Sequence, residues 1–122
     1  MSKSDTFEND LLKLFFNATA IANLADNAAS SPLANLYVAL HTADPGEAGA
    51  QSTSEISYTG YARVAVARTS GGWTVTGNSV APNADISFPI SSGGTGGTAT
   101  YASVGVASSG ATKILYSGSL SP

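Results

Sequence analysis

The sequence contains no cysteine, which excludes disulfide bonds, thiol catalysis and cysteine-ligated zinc. It is also poor in charge, because charged residues make up 11% of its 122 residues, against roughly 25% in an average soluble domain. Its surface must therefore consist mostly of Ser, Thr, Asn, Gly and Ala, as is common where neighbouring subunits cover a protein. The net charge is -3, and the basic residues are scattered at Lys3, Lys13, Arg63, Arg68 and Lys113. We therefore exclude nucleic acid as a partner.

Long apolar runs are missing as well. No stretch approaches the roughly 20 apolar residues that are needed to span a bilayer, so no membrane partner is expected. The N-terminal segment MSKSDTFEND carries acidic residues before any apolar run and does not resemble a secretory signal. We expect a protein that is made in the cytoplasm and forms a single domain over residues 1–122.

The N-terminal part of the chain has the apolar spacing of an α-helix from about residue 6 to about residue 25. The apolar stripe consists of Phe7, Leu11, Leu14, Phe15, Ala18, Ile21, Ala22 and Ala25. Asp5 or Thr6 is the predicted N-cap. Leu12 and Phe16 lie beside the stripe and widen it, so the helix is predicted to pack under a sheet or against another subunit.

After Leu33 the apolar period changes to two, which predicts a β-rich body over about residues 35–120. The alternating runs are 36–41, 62–67, 73–76, 85–90 and 101–106, and a last run from Lys113 is apolar on both faces. Turns rich in Gly, Asn and Ser separate these runs. The predicted fold is mainly β: an antiparallel β-sandwich or a small, jelly-roll-like barrel with one N-terminal α-helix.

The only histidine, His41, lies three residues before Asp44, and the two could form part of an active site. However, the strand before them alternates its apolar residues into the core, which predicts His41 on the opposite, open face. Pro45 and Gly46 fit positions i+1 and i+2 of a type II turn. Because no second histidine and no cysteine is present, we predict a strand followed by a turn, and a protein that is not an enzyme.

Three other groups of residues were weighed as sites. The glycine-rich segment Gly93–Gly97 could cradle a phosphate, but no Lys-Ser/Thr follows it, and a flexible hairpin loop is predicted. The acidic residues could hold calcium or hydrolyse a glycoside, but their spacing fits no template and predicts solvated loop acids; they are Asp44, Glu47, Glu55 and Asp85. Trp73 with Tyr58 and Tyr61 could stack on a sugar, although a core tryptophan is the more common case. We predict no catalytic residue, no cofactor and no metal ligand.

Three segments carry a resemblance to known proteins: NLYVALHTADPGEAG, SYTGYARVAVART and ATYASVGVASSGATKILYSGSLSP. They are similar to a family of small proteins of tailed bacteriophages and prophages. Members share an N-terminal helix, a YVALHTADPG-type strand and turn, a YARVAV strand, an FP strand end (here Phe88-Pro89) and a late G…ILYSG segment. The similarity covers nearly the whole chain from Thr6. It implies a structural virion component and assigns no catalytic residue.

The resemblance and the composition together predict a role in a virion. The predicted function is an accessory or decoration protein that binds neighbouring subunits, and its expected partners are further copies of itself and a major capsid or tail protein. The absence of heptads and fibrous repeats favours decoration over a fibre shaft. The alternative is a tail-fibre or tail-tip module that binds host-surface carbohydrate. The protein is expected in the virion after synthesis in the cytoplasm of the host bacterium. Similar proteins usually continue by a strand or two past the position of Pro122, so an open sheet edge is expected there.

Overall fold

The computed structural model describes residues 3–21, 25 and 32–121. These residues form one helix and six strands: α1 (Asp5–Asn17), β1 (Asn35–His41), β2 (Val64–Ala67), β3 (Trp73–Thr76), β4 (Ser79–Pro82), β5 (Tyr101–Gly105) and β6 (Ile114–Ser119). The strands form two antiparallel sheets, a four-stranded one in the order β2-β1-β5-β6 and the hairpin β3-β4. The prediction of a mainly β fold with one N-terminal helix is confirmed, and the described residues form no closed barrel.

The chain divides into two compact units. The helical unit consists of Met1–Asn35 and Val66–Asp85, and it contains α1 and the β3-β4 hairpin. The sheet unit consists of Leu36–Ala65 and Ile86–Pro122. Both units are discontinuous in sequence, because the chain leaves the helical unit after Asn35 and returns to it at Val66.

The helix begins with a serine cap. Ser4 has extended backbone angles, and its hydroxyl accepts a hydrogen bond from the N–H of Phe7 at 3.3 Å. This bond satisfies one of the N–H groups that the first helical turn leaves without a partner. The predicted caps, Asp5 and Thr6, were therefore one or two residues too late; Asp5 instead lies in the first turn, where the helix dipole favours an acid.

The helix ends at Asn17, well before the predicted end near Ala25. Ala18 has φ 53 in the left-handed region, which stops the helix. Ile21 and Ala25 are instead joined by two backbone hydrogen bonds of 2.8 Å. Ala22, which the predicted stripe included, lies outside the described residues. The prediction failed here because the left-handed cap falls on an alanine and not on the glycine that usually marks a helix end.

The helix packs on the β3-β4 hairpin. The ring of Phe16 meets the ring of Trp73 edge to face, with centroids 4.8 Å apart, and both side chains are buried. The side-chain amide of Asn17 donates to the carbonyl of Trp73 at 3.0 Å. Trp73 is thus a core residue, as the sequence predicted, and burial of such a side chain contributes about 1.5–3 kcal/mol.

Arg68, which is not part of the helix, caps its C-terminal end. Its guanidinium donates to the carbonyls of Phe15 at 2.6 Å, Leu14 at 2.7 Å and Leu33 at 3.2 Å. The last turn of the helix has no basic residue of its own. Arg68 therefore supplies both the positive charge that the helix dipole favours there and the donors that the last carbonyls need.

One strand was missed and one predicted strand was wrong. β4 was not predicted, because only Val80 in it is apolar and half-buried, and it ends in Pro82, which a strand tolerates only at an edge. Conversely, the run 85–90 alternates in sequence but forms no strand. Pro89 lacks the N–H of a ladder, Phe88 stacks on Tyr61 with centroids 6.1 Å apart, and Ile90 is 92% exposed.

β1 lies between β2 and β5 in the four-stranded sheet and is buried on both faces. Leu36 and Val38 lie on one face, and Ala39 and His41 on the other. The second face is covered because the segment around Gln51 crosses it. The expectation that each strand has one open face is therefore wrong for β1, since local alternation does not show what a distant segment covers.

The turn after β1 has the predicted glycine geometry. Gly46 has φ 71, and its N–H donates to the carboxylate of Asp44 at 2.9 Å. No heavy atom lies within 4 Å of the position of an added Cβ at Gly46, so only backbone strain opposes a larger residue.

We expect Gly46→Val to lower the free energy of unfolding by about 1 kcal/mol or more, because valine disfavours a positive φ. Gly118→Val in β6 is the matched control: it also has open space for a Cβ, but it lies in a strand and its φ is not positive. Urea denaturation of the two variants measures the difference. Equal stability of both would contradict the turn geometry.

Candidate functional site

His41 is fully buried between two segments. Its Nδ1 lies 2.8 Å from the carbonyl oxygen of Thr53, and its Nε2 lies 2.8 Å from the hydroxyl of Ser103. Because a carbonyl only accepts, Nδ1 carries the proton, and in the neutral ring Nε2 accepts from the serine. The prediction that His41 lies on an open face is therefore wrong: it is 0% exposed, and the segment that contains Thr53 covers it.

A serine hydroxyl at hydrogen-bond distance from a histidine is also the geometry of a nucleophile and its base. Here, however, the hydrogen-bond partner of Nδ1 of the histidine is a peptide carbonyl and not a carboxylate, and Ser103 is only 2% exposed. At this exposure the hydroxyl of Ser103 is closed to a substrate in this structure. The pair of His41 and Ser103 therefore joins β1, β5 and the segment around residue 53 as a structural contact.

Arg63 and Glu55 form a buried ion pair. The guanidinium holds both carboxylate oxygens, with Nε–Oε1 at 2.7 Å and Nη2–Oε2 at 2.8 Å. The side chains are 2% and 17% exposed, respectively. The remaining N–H groups of Arg63 donate to the carbonyls of Ala107 at 3.0 Å and Gly110 at 2.8 Å and to the hydroxyl of Thr112 at 3.2 Å. All five donors of the guanidinium are therefore used inside the protein.

Gln51 continues this network under the sheet. Its amide donates to the carbonyl of Tyr37 at 3.0 Å, and its Oε1 accepts from the hydroxyl of Thr112 at 3.1 Å. The amide fits only because Gly105 has no side chain: an added Cβ there would lie 2.1 Å from Cδ of Gln51. No sequence pattern singles out Gln51, but a glycine within an alternating strand does indicate a close approach.

Tyr61 joins Gln51, Glu55 and Arg63 in a polar cluster. Its hydroxyl donates to Oε1 of Glu55 at 3.0 Å and accepts from the N–H of Leu40 at 3.0 Å. Burial and the carboxylate of Glu55 raise the pKa of Tyr61 far above its usual value, against the lowering effect of the Leu40 N–H. Hydrogen bonding to Glu55 likewise raises the pKa of Arg63. The tyrosine is therefore neutral and the arginine charged at neutral pH.

The four acidic candidates do not form one site. Glu55 belongs to the ion pair, whereas Asp44 and Glu47 are exposed on the turn after β1. Asp85 is exposed in the helical unit. Among the described residues, no group of three or more acidic or histidine side chains is arranged to hold a metal ion.

The glycine-rich segment is held against Thr59 and does not form the predicted hairpin loop. The N–H of Thr59 donates to the carbonyl of Gly93 at 2.8 Å, and the N–H of Ser92 donates to the carbonyl of Thr59 at 3.0 Å. A Cβ on Gly96 would lie 2.5 Å from the backbone nitrogen of Tyr58. These glycines thus allow two backbones to approach closely.

The aromatic candidates are also divided between the units. Tyr58 and Tyr61 meet edge to face at 5.4 Å in the sheet unit, and Phe88 stacks on Tyr61. The hydroxyl of Tyr58 donates to the carbonyl of Pro89. Trp73 belongs to the helical unit, where it packs on the helix. The alternative, a platform of one tryptophan and two tyrosines, is therefore not formed within either unit.

The described residues of the sheet unit line hollows, of which two are considered as candidate binding sites. One, of about 240 Å³, lies beside the ion pair and is lined by Glu55, Tyr61, Ala62, Arg63, Ser108, Ser109 and Gly110. The other, of about 170 Å³, is apolar and is lined by Val38, Ala102, Ser103, Val104, Tyr116, Ser117 and Gly118. None of the helices in the described part of the chain has the length and hydropathy of a membrane span.

The chain matches the family described as "Podophage GP4 fiber I protein gp80" over residues 2–122. No curated protein and no solved structure matches it. The family match agrees with the resemblance to proteins of tailed bacteriophages, because it covers the same segments, and it adds that the family is named for a fibre.

We expect His41→Ala to lower the free energy of unfolding by about 2–4 kcal/mol. The substitution leaves the buried hydroxyl of Ser103 without a partner, removes the partner of the Thr53 carbonyl and opens a cavity. Ser57→Ala, at an exposed residue of the same unit, is the control and should change little. Urea denaturation measures both; an unchanged stability of His41→Ala would mean that the ring lies on the surface after all.

Proposed function

Since the chain belongs to the family of the podophage GP4 fiber I protein gp80, we propose that this virion protein is a structural subunit of the fibre. In this proposal it binds neighbouring subunits through the edge strand β6 and performs no catalysis. Its partners are further copies of the chain or another tail or capsid protein. The single observation that carries the proposal is the outer edge of β6, which no other strand of the described residues pairs.

The hydrogen bonds of β6 define which groups are unpaired. The N–H of Leu120 donates to the carbonyl of Thr100 at 2.9 Å. In the same register Ala102 lies opposite Gly118, which is two residues before Leu120. In an antiparallel ladder alternate residues bond to the partner strand. Gly118 therefore bonds to β5, and the N–H and C=O groups of Ser117 and Ser119 point outward, away from the sheet.

The composition of this edge suits the addition of a strand. Between Ile114 and Ser119 there is no charge and no proline, and residues 116–119 are exposed. Natural proteins usually protect free edges with such residues, because an unprotected edge recruits another chain. Tyr116, which is 49% exposed, and the apolar hollow beside it offer room for a side chain of the incoming strand.

The family name favours a fibre subunit over the decoration protein that the sequence favoured. The family is named for a fibre, whereas the preference for decoration rested on the small size and the absence of repeats. Catalysis is disfavoured because the polar side chains that sequence analysis weighed as catalytic, His41 and Glu55, are held in internal hydrogen bonds. A decoration protein would use the same edge, so the location in the virion needs its own test.

We expect Ser117→Pro to abolish association while the isolated chain stays folded. Proline removes an outward N–H, which an incoming strand needs, but no hydrogen bond to β5. Ser117→Ala keeps the N–H and is the matched control. Sedimentation of the purified chains measures self-association, and mass spectrometry of purified virions counts the copies that are incorporated.

Ser119→Lys is a second variant that introduces a charge at the edge and does not constrain the backbone. If both variants fold and enter virions in the same number as the wild type, β6 is not the contact. Labelling of the incorporated chain and imaging by electron microscopy distinguishes a fibre from the capsid surface.

A further inference from the structure

We propose that the strand that pairs with β6 is β6 of a second copy of the chain, antiparallel and related by a two-fold axis at Ser117. This inference rests on the proposed function, since it uses the same outer edge of β6. It adds the partner, the symmetry and the register. In this pairing the ring of Tyr116 of each copy lies over Gly118 of the other and covers the apolar hollow there.

The β5-β6 pair has a gap on one face, at Gly118. Directly opposite residues of a ladder share a face. Gly118 lies opposite Ala102, and two residues earlier Tyr116 lies opposite Val104 on the same face. No heavy atom lies within 4 Å of the position of an added Cβ at Gly118. The glycine also lines the apolar hollow of about 170 Å³, together with these residues and Val38. The gap can therefore take an apolar side chain from outside.

The two outward serines of β6 limit the register. In an antiparallel pair the outward groups of each strand must face those of the other, so Ser117 and Ser119 both need a residue of the second β6 opposite them. A two-fold axis at Ser117 sets this serine opposite itself and Ser119 opposite Leu115. An axis at Gly118 sets the two serines opposite each other. An axis at residue 116 or 119 leaves one serine opposite a residue outside Ile114–Ser119, so two registers remain.

The side chains distinguish these two registers. With the axis at Gly118, the glycine faces its own copy, the hollow stays open, and Tyr116 lies opposite Leu120, beyond the end of β6. With the axis at Ser117, Tyr116 of one copy lies directly opposite Gly118 of the other. Opposite side chains have Cβ positions about 4.5–5.5 Å apart, so the ring of Tyr116, which is 49% exposed, reaches the hollow of the second copy. An aromatic ring across from an edge glycine fixes the register of a sheet.

A second copy suits this edge better than an unrelated strand. The ring of Tyr116 and the gap at Gly118 lie one residue before and one residue after Ser117, so the strand is complementary to itself in this register. It also contains no charged residue from Ile114 to Ser119. This matters because a two-fold axis brings identical residues close together, and like charges on opposite strands are destabilising. The interface is therefore isologous, and each of its contacts is made twice.

Thiol cross-linking tests the register, because the chain has no cysteine of its own. Ser117→Cys and the control Ser119→Cys are prepared singly, as purified chains and in virions. Each is treated with a bifunctional thiol reagent that spans roughly 5 Å, the spacing of neighbouring strands. We expect Ser117→Cys to give a covalent dimer, since its two cysteines lie about 5.5 Å apart at Cα. Ser119→Cys should give none, because its cysteines lie four residues apart along the strands, roughly 13 Å.

A further variant tests the ring. Tyr116→Ala in the Ser117→Cys chain should lower the initial rate of dimer formation about tenfold in dilute solution, because a two-fold interface loses the contact with Gly118 twice. Ser119→Ala in the same chain keeps the backbone groups and the ring, and it should leave the rate unchanged. Urea denaturation of both variants verifies that they fold. A dimer that forms equally fast without the ring would overturn the proposed register contact.

The outcomes separate this pairing from the proposed function. A dimer through Ser119→Cys, or a cross-link from Ser117→Cys to a different protein, would overturn the pairing but keep β6 as the contact. No cross-link from either variant would also overturn the pairing. The proposed function fails with it only if Ser117→Pro and Ser119→Lys enter virions in the same number as the wild type.

Discussion

The ion pair between Arg63 and Glu55 is the interaction on which the sheet unit depends. A guanidinium is the one side chain with five donors in a fixed plane, and here it satisfies a carboxylate and two loop carbonyls at once. Removal of either partner would leave a buried charge without compensation, which typically costs about 3–5 kcal/mol. The pair thereby fixes the loop between β5 and β6, and with it the position at which β6 begins.

The helical unit likewise uses the charge of an arginine for internal hydrogen bonds. The chain has only five basic residues, and its two arginines are both turned toward backbone carbonyls: Arg63 in the sheet unit and Arg68 at the end of the helix. The uncharged surface that the composition predicted is thus also a consequence of where these charges are used. Because the surface has few charges, few charged residues lie around the free backbone groups of β6. We therefore place the contact with other subunits at this strand.

The sequence predicted β1, β2, β3 and β5 because their apolar residues alternate, and it predicted β6 from an apolar run. It missed β4, where one valine is the only apolar side chain that is partly covered, and it extended the helix past Ala18, whose left-handed backbone has no sequence signal. The positive φ of Gly46 was predicted correctly, since Asp-Pro-Gly favours it through local geometry alone, although the hydrogen-bonded turn runs from Gly46 to Gly49.

Most of the polar cluster could not be predicted from the sequence. His41 was assigned to an open face because it alternates with apolar residues, yet both His41 and Arg63 are buried by segments that are distant in the sequence. Their partners Ser103 and Thr112 lie 62 and 49 residues away. The one local sign was Gly105, whose missing side chain admits Gln51. Local periodicity predicts which face a residue lies on, but the opposing segment decides whether that face is open.

Amide hydrogen exchange on β6, resolved to single residues by mass spectrometry, tests the central claim most directly. In the isolated chain the N–H of Ser117 and Ser119 has no partner, whereas that of Gly118 bonds to β5 and serves as the internal reference. The account predicts fast exchange at Ser117 and Ser119 in the isolated chain and slow exchange in the virion, with Gly118 protected in both. Equally fast exchange at the two serines in the virion would contradict assembly through this edge.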